Sequence, residues 1–484
     1  MDPLADRATD ETLPLGDIRV IEMGFGVAGP FLARNLGHFG ADVIRVESAR
    51  RPDSLRLGGA GWLPPEVDTA IRRDTRPAID FSSGGKRSIG LEIDTAAGRA
   101  VFDKLIATAD VFVTNLSANV LPRLRITYDD LRDIRGDIVH ISLTSFGSGA
   151  GPYARYRTWG HNLTAAVGLD SQIGWPDRGP GQLAMAYPDY VSAHTGTAAV
   201  LAALLRRDLT GQGCQIELSQ FEMAASCLAP GMVQTQMRGT DAGQPGNGMP
   251  GVCPHSIYPS RGEDRWVALS VTDETMWRGL CRAEGLEGLA QDDRFATLAA
   301  RLENENDLDE ILGRWTSART DWDAAAELQH YGVAAAPVMD SWDVLGDEHL
   351  ASRDFFSVLP SPRFGHDLVY GQAMALRSTP PVVRSAAPAM GQHTREVLEG
   401  LLGYAPADVD GLLGAGVCTE MTESPVALER PYRHWIDKLL RLPWPPAAFD
   451  PYRIIREQVR EAFTSTGEAD ATGESDGTAA GGRR

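Results

Sequence analysis

The sequence predicts an α/β fold whose core is a parallel, Rossmann-like sheet, and three observations predict it. The first 50 residues spell a strand, a glycine turn, an amphipathic helix and a second strand. The same alternation then recurs twice before residue 145. At 484 residues, with 43% hydrophobic and 23% charged side chains, the chain exceeds what one core accommodates, so a second unit is expected.

Ile18–Met23 is a short apolar run with β-branched residues and reads as the first strand. Gly24 to Gly29 makes the turn, Pro30 suits the first position of a helix, and Phe31, Leu32, Leu36 and Phe39 recur at helical spacing. Asp42–Glu47 is the next strand, which makes a β-α-β unit and implies a right-handed crossover. Thr95–Ala107 reads as a helix with Ala100, Leu105 and Ile106 inward and Phe102 weakly so. Asp110–Thr114 follows as a strand, Leu121–Ile134 as mostly helix and Asp137–Leu143 as a strand. Ala198–Arg207 is a strongly apolar helix, Gln215–Leu218 a strand and Gln220–Ala229 a buried helix. The glycines and two prolines between Gly239 and Gly251 mark a boundary. A smaller α+β unit follows, with a strand at Trp266–Val271 and helices around 273–284, 304–315 and 322–331. Val333–Pro337 reads as the start of the return. The expected organisation is a large domain from 13 to 238, a small inserted domain from 239 to 340, a return segment from 341 to 404 and an extension from 405 to 464. The tail from 465 to 484 is Gly, Ser, Thr, Ala and acid, a composition expected to stay disordered.

Composition narrows the function classes. A formal net charge of −19 argues against a nucleic-acid binder. Five cysteines without a Cys-x-x-Cys pair argue against a disulfide framework and a thiolate metal site. No apolar stretch approaches the ~20 residues that span a bilayer, and the first twelve residues lack the basic and apolar regions of a signal peptide. A cytoplasmic protein without nucleic-acid or membrane partners is the expectation.

Gly24-x-Gly26-x-x-Gly29 matches a dinucleotide fingerprint, with Glu47 about 20 residues on. Amides at a helix start attract phosphate, and glycines let it approach. The same pattern also serves as a plain strand-to-helix turn. Spacing alone leaves both readings open.

Several segments in order resemble the class III CoA-transferases, the formyl-CoA and carnitine CoA-transferase family (CaiB/BaiF-like). They are LPLGDIRVIEMGFGVAGPFLARNLGHFGADVIRVE, GGKRSIGLEID, ADVFVTNLSANVLPRL, IVHISLTSFGSGAGPY and YPDYVSAHTGTAAVLAALLRRDLTGQGCQIELSQFEMAA. HSIYPSRGEDRWVALSV, DDRFAT, YGVAAAPV and GQHTREVLEGLLG continue the series, so that the similarity runs from Leu13 to Tyr404. The segments around His161 and Tyr187 look closest to benzylsuccinate CoA-transferase subunits. The resemblance implies transfer of coenzyme A from an acyl-CoA to a small organic acid, with coenzyme A as substrate and neither metal nor redox cofactor. It also implies an interlocked homodimer, or assembly with a related second subunit.

The resemblance places the nucleophile at Asp189, ahead of an Ala/Gly-rich helix. Read from the residues alone, the favoured reading of Asp189 is a helix N-cap. A carboxylate can carry first the acyl group and then CoA, and each step passes through an oxyanion that needs donors. The resemblance assigns these to the amides of Val27 and Ala28, with Val27 standing where some members have Gln. It places coenzyme A contacts at Leu91, Asp94, Asn115, Leu116, Arg123, Thr144 and Phe146, and Arg123 suits a phosphate. Ser48 and Asp94 stand where formyl-CoA transferases carry basic residues, so the grip on coenzyme A must be rearranged. His161, in a Gly-His-Asn, is comparable to the catalytic His of acyl-CoA racemases in the same superfamily. With Asp189 it could exchange the proton next to the thioester carbonyl, Asp273 partly matching a supporting Glu. The alternative for His161 is a buried, hydrogen-bonded structural residue. Three functions follow: a CoA-transferase, a 2-methylacyl-CoA racemase, or a non-catalytic subunit of a heteromeric transferase.

Overall fold

The structure is a computed structural model and describes residues 13–56, 80–147, 151–241, 243–361 and 365–420. The tail expected at 465–484, and the extension from 421 onward, lie outside the described residues.

Two compact units emerge. Among the described residues the larger runs over 13–167, 185–227 and 346–420, and the smaller over 168–184 with 228–345. In the larger unit, β1 (Arg19–Met23), β2 (Asp42–Glu47), β3 (Arg87–Leu91), β4 (Val111–Thr114), β5 (Val139–Thr144) and β6 (Cys214–Ser219) form a parallel sheet. Their order is β3-β2-β1-β4-β5-β6, which reverses direction at β1/β4 as in dinucleotide-binding folds. Cys418–Thr419 adds an antiparallel strand to the β3 edge, making the sheet mixed. Cys418 and Thr419, beyond the expected end of the return segment at 404, are therefore part of the main sheet.

Both faces of the sheet are buried, because strand side chains alternate. Ile21, Ile44 and Phe112 enter one core, together with Phe102, Leu105, Val397 and Val409. Val20, Val43 and Val113 enter the other, together with Leu32, Leu36 and Val200. Leu32 and Leu36 come from α1 (Ala28–His38), Phe102 and Leu105 from α2 (Ala96–Ala107) and Val200 from α6 (Tyr187–Thr210), and the unit also holds α3 (Val120–Leu124), α4 (Tyr128–Ile134), α5 (Gly160–Ala166) and α7 (Gln220–Ser226).

Local readings shift where packing overrules pattern. Helix α1 begins at Ala28, so Pro30 is its third residue. Phe102, read as only weakly inward, is fully buried and packs edge-on to Phe112 at 6.0 Å, while Ala100, read as inward, is exposed. The 121–134 stretch is two helices broken at Arg125, whose φ is 53°. Helix α6 starts eleven residues before the apolar run at Ala198. Its first half carries Ser192, Ala193, Gly196 and Thr197 on the buried side, and at Gly196 a Cβ would lie 2.5 Å from Leu32, so small residues let α6 approach α1.

In the smaller unit, β7 (His255–Pro259), β8 (Trp266–Ser270) and β9 (Ala334–Pro337) form an antiparallel sheet in the order β9-β8-β7. Val333–Pro337 thus closes this sheet instead of starting a return. Tyr258, Val267 and Leu269 face Trp277, Phe295, Leu308, Leu312, Trp315 and Leu328 in its core.

Candidate active site

The strand order fixes where a ligand sits, since crevices open at the carboxyl ends of parallel strands beside the reversal point. A cavity of about 460 Å³ lies there. Its walls include Met23 and Gly24 after β1, Val46 at the end of β2, Leu91 of β3 and Leu116 after β4. The volume suits part of an organic ligand. Of the residues expected to contact coenzyme A, Leu91, Asp94, Leu116 and Arg123 line this cavity, whereas Val27, Ala28, Asn115, Thr144 and Phe146 do not.

Asn115 shapes the wall instead of lining it. Its side-chain oxygen accepts from the Phe25 amide at 2.8 Å and its nitrogen donates to the Phe25 carbonyl at 2.7 Å. This two-point clip holds the glycine turn. Gly24 is required there, for a Cβ would stand 2.8 Å from Asn115 and 2.9 Å from Glu22. Gly26 adopts φ +64°, a conformation glycine enters freely, and its amide donates to Asp53 at 2.9 Å.

The dinucleotide reading fails at its acidic residue. Glu47 is buried and already held by Arg56 through two 2.7 Å bonds and by the Ser88 hydroxyl at 2.7 Å. Burial alone would push its carboxyl up, but Arg56 and Arg45, with these bonds, draw it down to about 2. It is an anion already engaged by the protein's own arginines and Ser88.

Basic and acidic side chains alternate along the crevice. The Ser48 hydroxyl donates to Glu92 at 2.7 Å, and Asp94 sits 3.4 Å from Arg50. Arg50, Arg51 and Arg123 reach the cavity wall. An adjoining cavity of about 480 Å³ shares Arg51, Asp94 and Arg123 and adds Arg99 and Arg125. Five arginines besides the buried Arg45 therefore line these two adjoining cavities at the start of α2. Four of them, Arg50, Arg51, Arg99 and Arg125, were missed from the sequence. The adjacent Arg50-Arg51 just past β2, at the ligand end of a parallel strand, was the available signal.

Asp189 lies in the first turn of α6, past an N-cap at Ala186, so it is not the cap. The Ala28 backbone amide at the start of α1 favours its ionised form. Burial raises the Asp189 carboxyl to about 6, opposed by that amide and by His161. Tyr190 packs edge-on against Phe31 at 5.3 Å, fixing this turn against α1. Gly160 presses directly on the carboxylate, where a Cβ would be 2.1 Å from Oδ2. Ala28 stands three residues beyond Phe25, so one short loop leads from the cavity wall to Asp189.

His161 is exposed, not the buried residue the sequence allowed. Thr144 is buried, and its hydroxyl has no partner among the described residues. Phe146 stacks near Phe221, with ring centroids 5.3 Å apart. Asp273 caps its own helix, accepting from Thr275 and Met276 at 2.7 and 2.9 Å. Among the described residues no helix is long and apolar enough to cross a membrane.

The signature of CoA-transferase family III matches residues 15–394. The chain belongs to this family. Among similar proteins, the beta subunit of a succinyl-CoA–L-malate CoA-transferase of Chloroflexus aurantiacus is 30% identical over 412 residues, covering 84% of this chain and 98% of that protein. A succinyl-CoA–D-citramalate CoA-transferase of the same organism is 28% identical, covering 82% and 96%. A protein of Mycobacterium tuberculosis named a probable CoA-transferase is 31% identical over 84% of this chain, which spans only 50% of that longer relative. The crystal structure of a CaiB/BaiF family protein from Brucella suis superposes with a TM-score of 0.71 at 26% identity, covering 81% of this chain and 100% of that one. The general activity of this class III CoA-transferase is therefore transfer of coenzyme A, on an α/β fold shared with that structure.

Proposed function

We propose that the enzyme exchanges coenzyme A between an acyl-CoA and a free carboxylic acid through covalent intermediates on Asp189. The observation that carries this reading is the placement of a half-buried carboxylate at the helix end of the loop that also walls the crevice. The Asp189 oxygen attacks the thioester carbonyl, the C–S bond breaks, and a mixed anhydride and CoA thiolate result. The thiolate attacks the Asp189 carbonyl, releasing the donor acid and leaving an aspartyl-CoA thioester. The acceptor carboxylate then displaces the thiolate, which returns to the acceptor carbonyl. One carboxylate and one thioester enter and leave, so no net proton moves. The start of α1, with the Val27 and Ala28 amides, supplies positive potential for the oxyanions, and the arginines of the crevice suit the phosphates of coenzyme A.

Intact-mass detection of a CoA adduct on the wild type, absent in Asp189→Ala, tests this reading. With 18O-labelled acceptor carboxylate, one turnover should leave one heavy oxygen in Asp189; an unlabelled Asp189 beside labelled acyl product would sink the covalent route.

A racemase is the second reading, supported by the charge of His161 reaching Asp189. Its exposure and the self-capping of Asp273 weigh against it. Deuterium entering the carbon next to the thioester carbonyl, with no acceptor acid present, would favour it. An interlocked dimer, or pairing with a related subunit, belongs to the same proposal. Sedimentation of the purified chain, alone and with a co-expressed homologue, checks both.

A further inference from the structure

The glycine turn between β1 and α1 is held from two sides. Asn115, just past the central strand β4, clips Phe25. Asp53 holds the next residue. It is 3% exposed, and one of its oxygens accepts from the Gly26 amide at 2.9 Å and from Arg45 at 2.5 Å. Its other oxygen accepts from the Leu55 amide at 2.8 Å. The restraint acts where the chain is softest, because Gly26 has no side chain to limit its rotation. Val27 and Ala28 follow at once, and the Val27 carbonyl accepts from the Phe31 amide at 2.7 Å as α1 opens. The turn of the Gly26 peptide therefore sets the direction of the amides that serve the oxyanion.

Asp53 differs from Asn115 in the segment that carries it. Asn115 is fixed to a strand inside the sheet and holds the turn at all times. Asp53 belongs to the stretch 48–56 that leaves β2. One end of this stretch is fastened just past β3, where Glu92 accepts from the Ser48 hydroxyl at 2.7 Å and the Arg50 amide at 3.2 Å. The other end is fastened by Arg56 on Glu47. Between these ends Arg50 and Arg51, both exposed, reach the cavity wall. The clamp on Gly26 and the cations at the crevice thus lie two residues apart on one short tethered segment.

We propose that Asp53 is a positioning residue that couples the hold of Arg50 and Arg51 on the donor's phosphates to the alignment of the Val27 and Ala28 amides. This rests on the transferase reading of the crevice. Phosphates drawn to the two arginines tighten the stretch between its fixed ends, and the Asp53 carboxylate passes that constraint to Gly26. Binding energy from the nucleotide end of the donor is then realised at its reacting end, where it raises the rate as well as the affinity.

The test uses the full chain and needs no acceptor acid. Succinyl-CoA is compared with succinyl-pantetheine, which carries the same thioester without the nucleotide, and the thioester adduct on Asp189 is followed by quenched-flow intact mass. At saturating donor the wild type should form the adduct about 100-fold faster from succinyl-CoA. Asp53→Asn, in which Arg45 keeps Glu47 at 3.2 Å, should bring that ratio toward unity. Arg50→Ala/Arg51→Ala, which leaves the buried clamp in place, should do the same by slowing the succinyl-CoA reaction. A wild-type ratio already near unity overturns the coupling. Slower rates on both donors in Asp53→Asn, with the ratio kept, make Asp53 a mere prop of the turn and also overturn it. If Asp53→Asn does not fold, the arginine variant decides: a weaker donor affinity with the saturating rate intact overturns the proposal. An adduct with uncoupled rates leaves the transferase reading standing, whereas no adduct on the wild type from succinyl-CoA or acetyl-CoA overturns that reading itself.

Discussion

Asp189 joins two demands that oppose each other. It must be ionised to attack, yet burial makes ionisation costly and lifts its carboxyl from 3.8 to about 6. Activity limited by its attack should therefore climb through about pH 6 and level off above it, and a kcat/KM profile flat from pH 5 to 8 would contradict this. The same shift has a stability sign. A carboxyl whose folded value is raised favours the protonated fold, so stability falls as pH rises from 3.8 through about 6. Asp189→Asn removes that penalty. Its half-exposure discounts the shift, leaving a gain of about 1–2 kcal/mol at pH 7.5 and none at pH 3, read from Tm at the two values. Gly160 sets the position of the carboxylate: Gly160→Ala would drive a methyl to 2.1 Å from Oδ2 and 2.5 Å from the Ala186 Cβ. A displaced nucleophile costs about 100-fold in kcat, while the circular dichroism spectrum should stay unchanged.

At the scale of elements, the loop between β1 and α1 does the positioning, and Asn115 from the end of β4 holds it. Asn115→Asp keeps the acceptor for the Phe25 amide but loses the donor to the Phe25 carbonyl. Loosening the wall should raise the KM for acyl-CoA about tenfold, measured at saturating acceptor. The β-α-β alternation of this region was legible because strands buried on both faces read as apolar runs and glycine turns punctuate them. The Glu47 ion cluster and the crevice arginines were not legible. Arg56 and Ser88 reach Glu47 from 9 and 41 residues away, and Arg99 and Arg125 meet Arg51 only once β2 and β3 lie side by side. The assignment of 168–184 to the smaller unit was also hidden. Sequence order carries no sign that a segment returns to a later one, although the fold places the Gly246 amide 3.0 Å from the Gly174 carbonyl.

For the whole molecule, two separate cores imply two unfolding events. The larger unit depends on a buried anion: Glu47 lies among Arg45, Arg56 and Ser88, and its carboxyl is held at about 2 against an ordinary 4.5. Because the folded value is depressed, its stabilisation is complete above pH 4.5 and is lost as pH falls toward 2. Glu47→Gln removes the carboxylate that Arg56 binds through two bonds, while Arg45 keeps Asp53, and should cost about 3–5 kcal/mol. The smaller unit has its own core, in which Leu308 is fully buried with Trp315 and Phe295. Leu308→Ala should cost about 2–5 kcal/mol there. Calorimetry should then resolve two transitions, with Glu47→Gln lowering one and Leu308→Ala the other. The gap between wild type and Glu47→Gln should shrink between pH 4.5 and 2 while the Leu308→Ala gap stays constant. A single transition displaced equally by both variants would mean that the two cores melt as one.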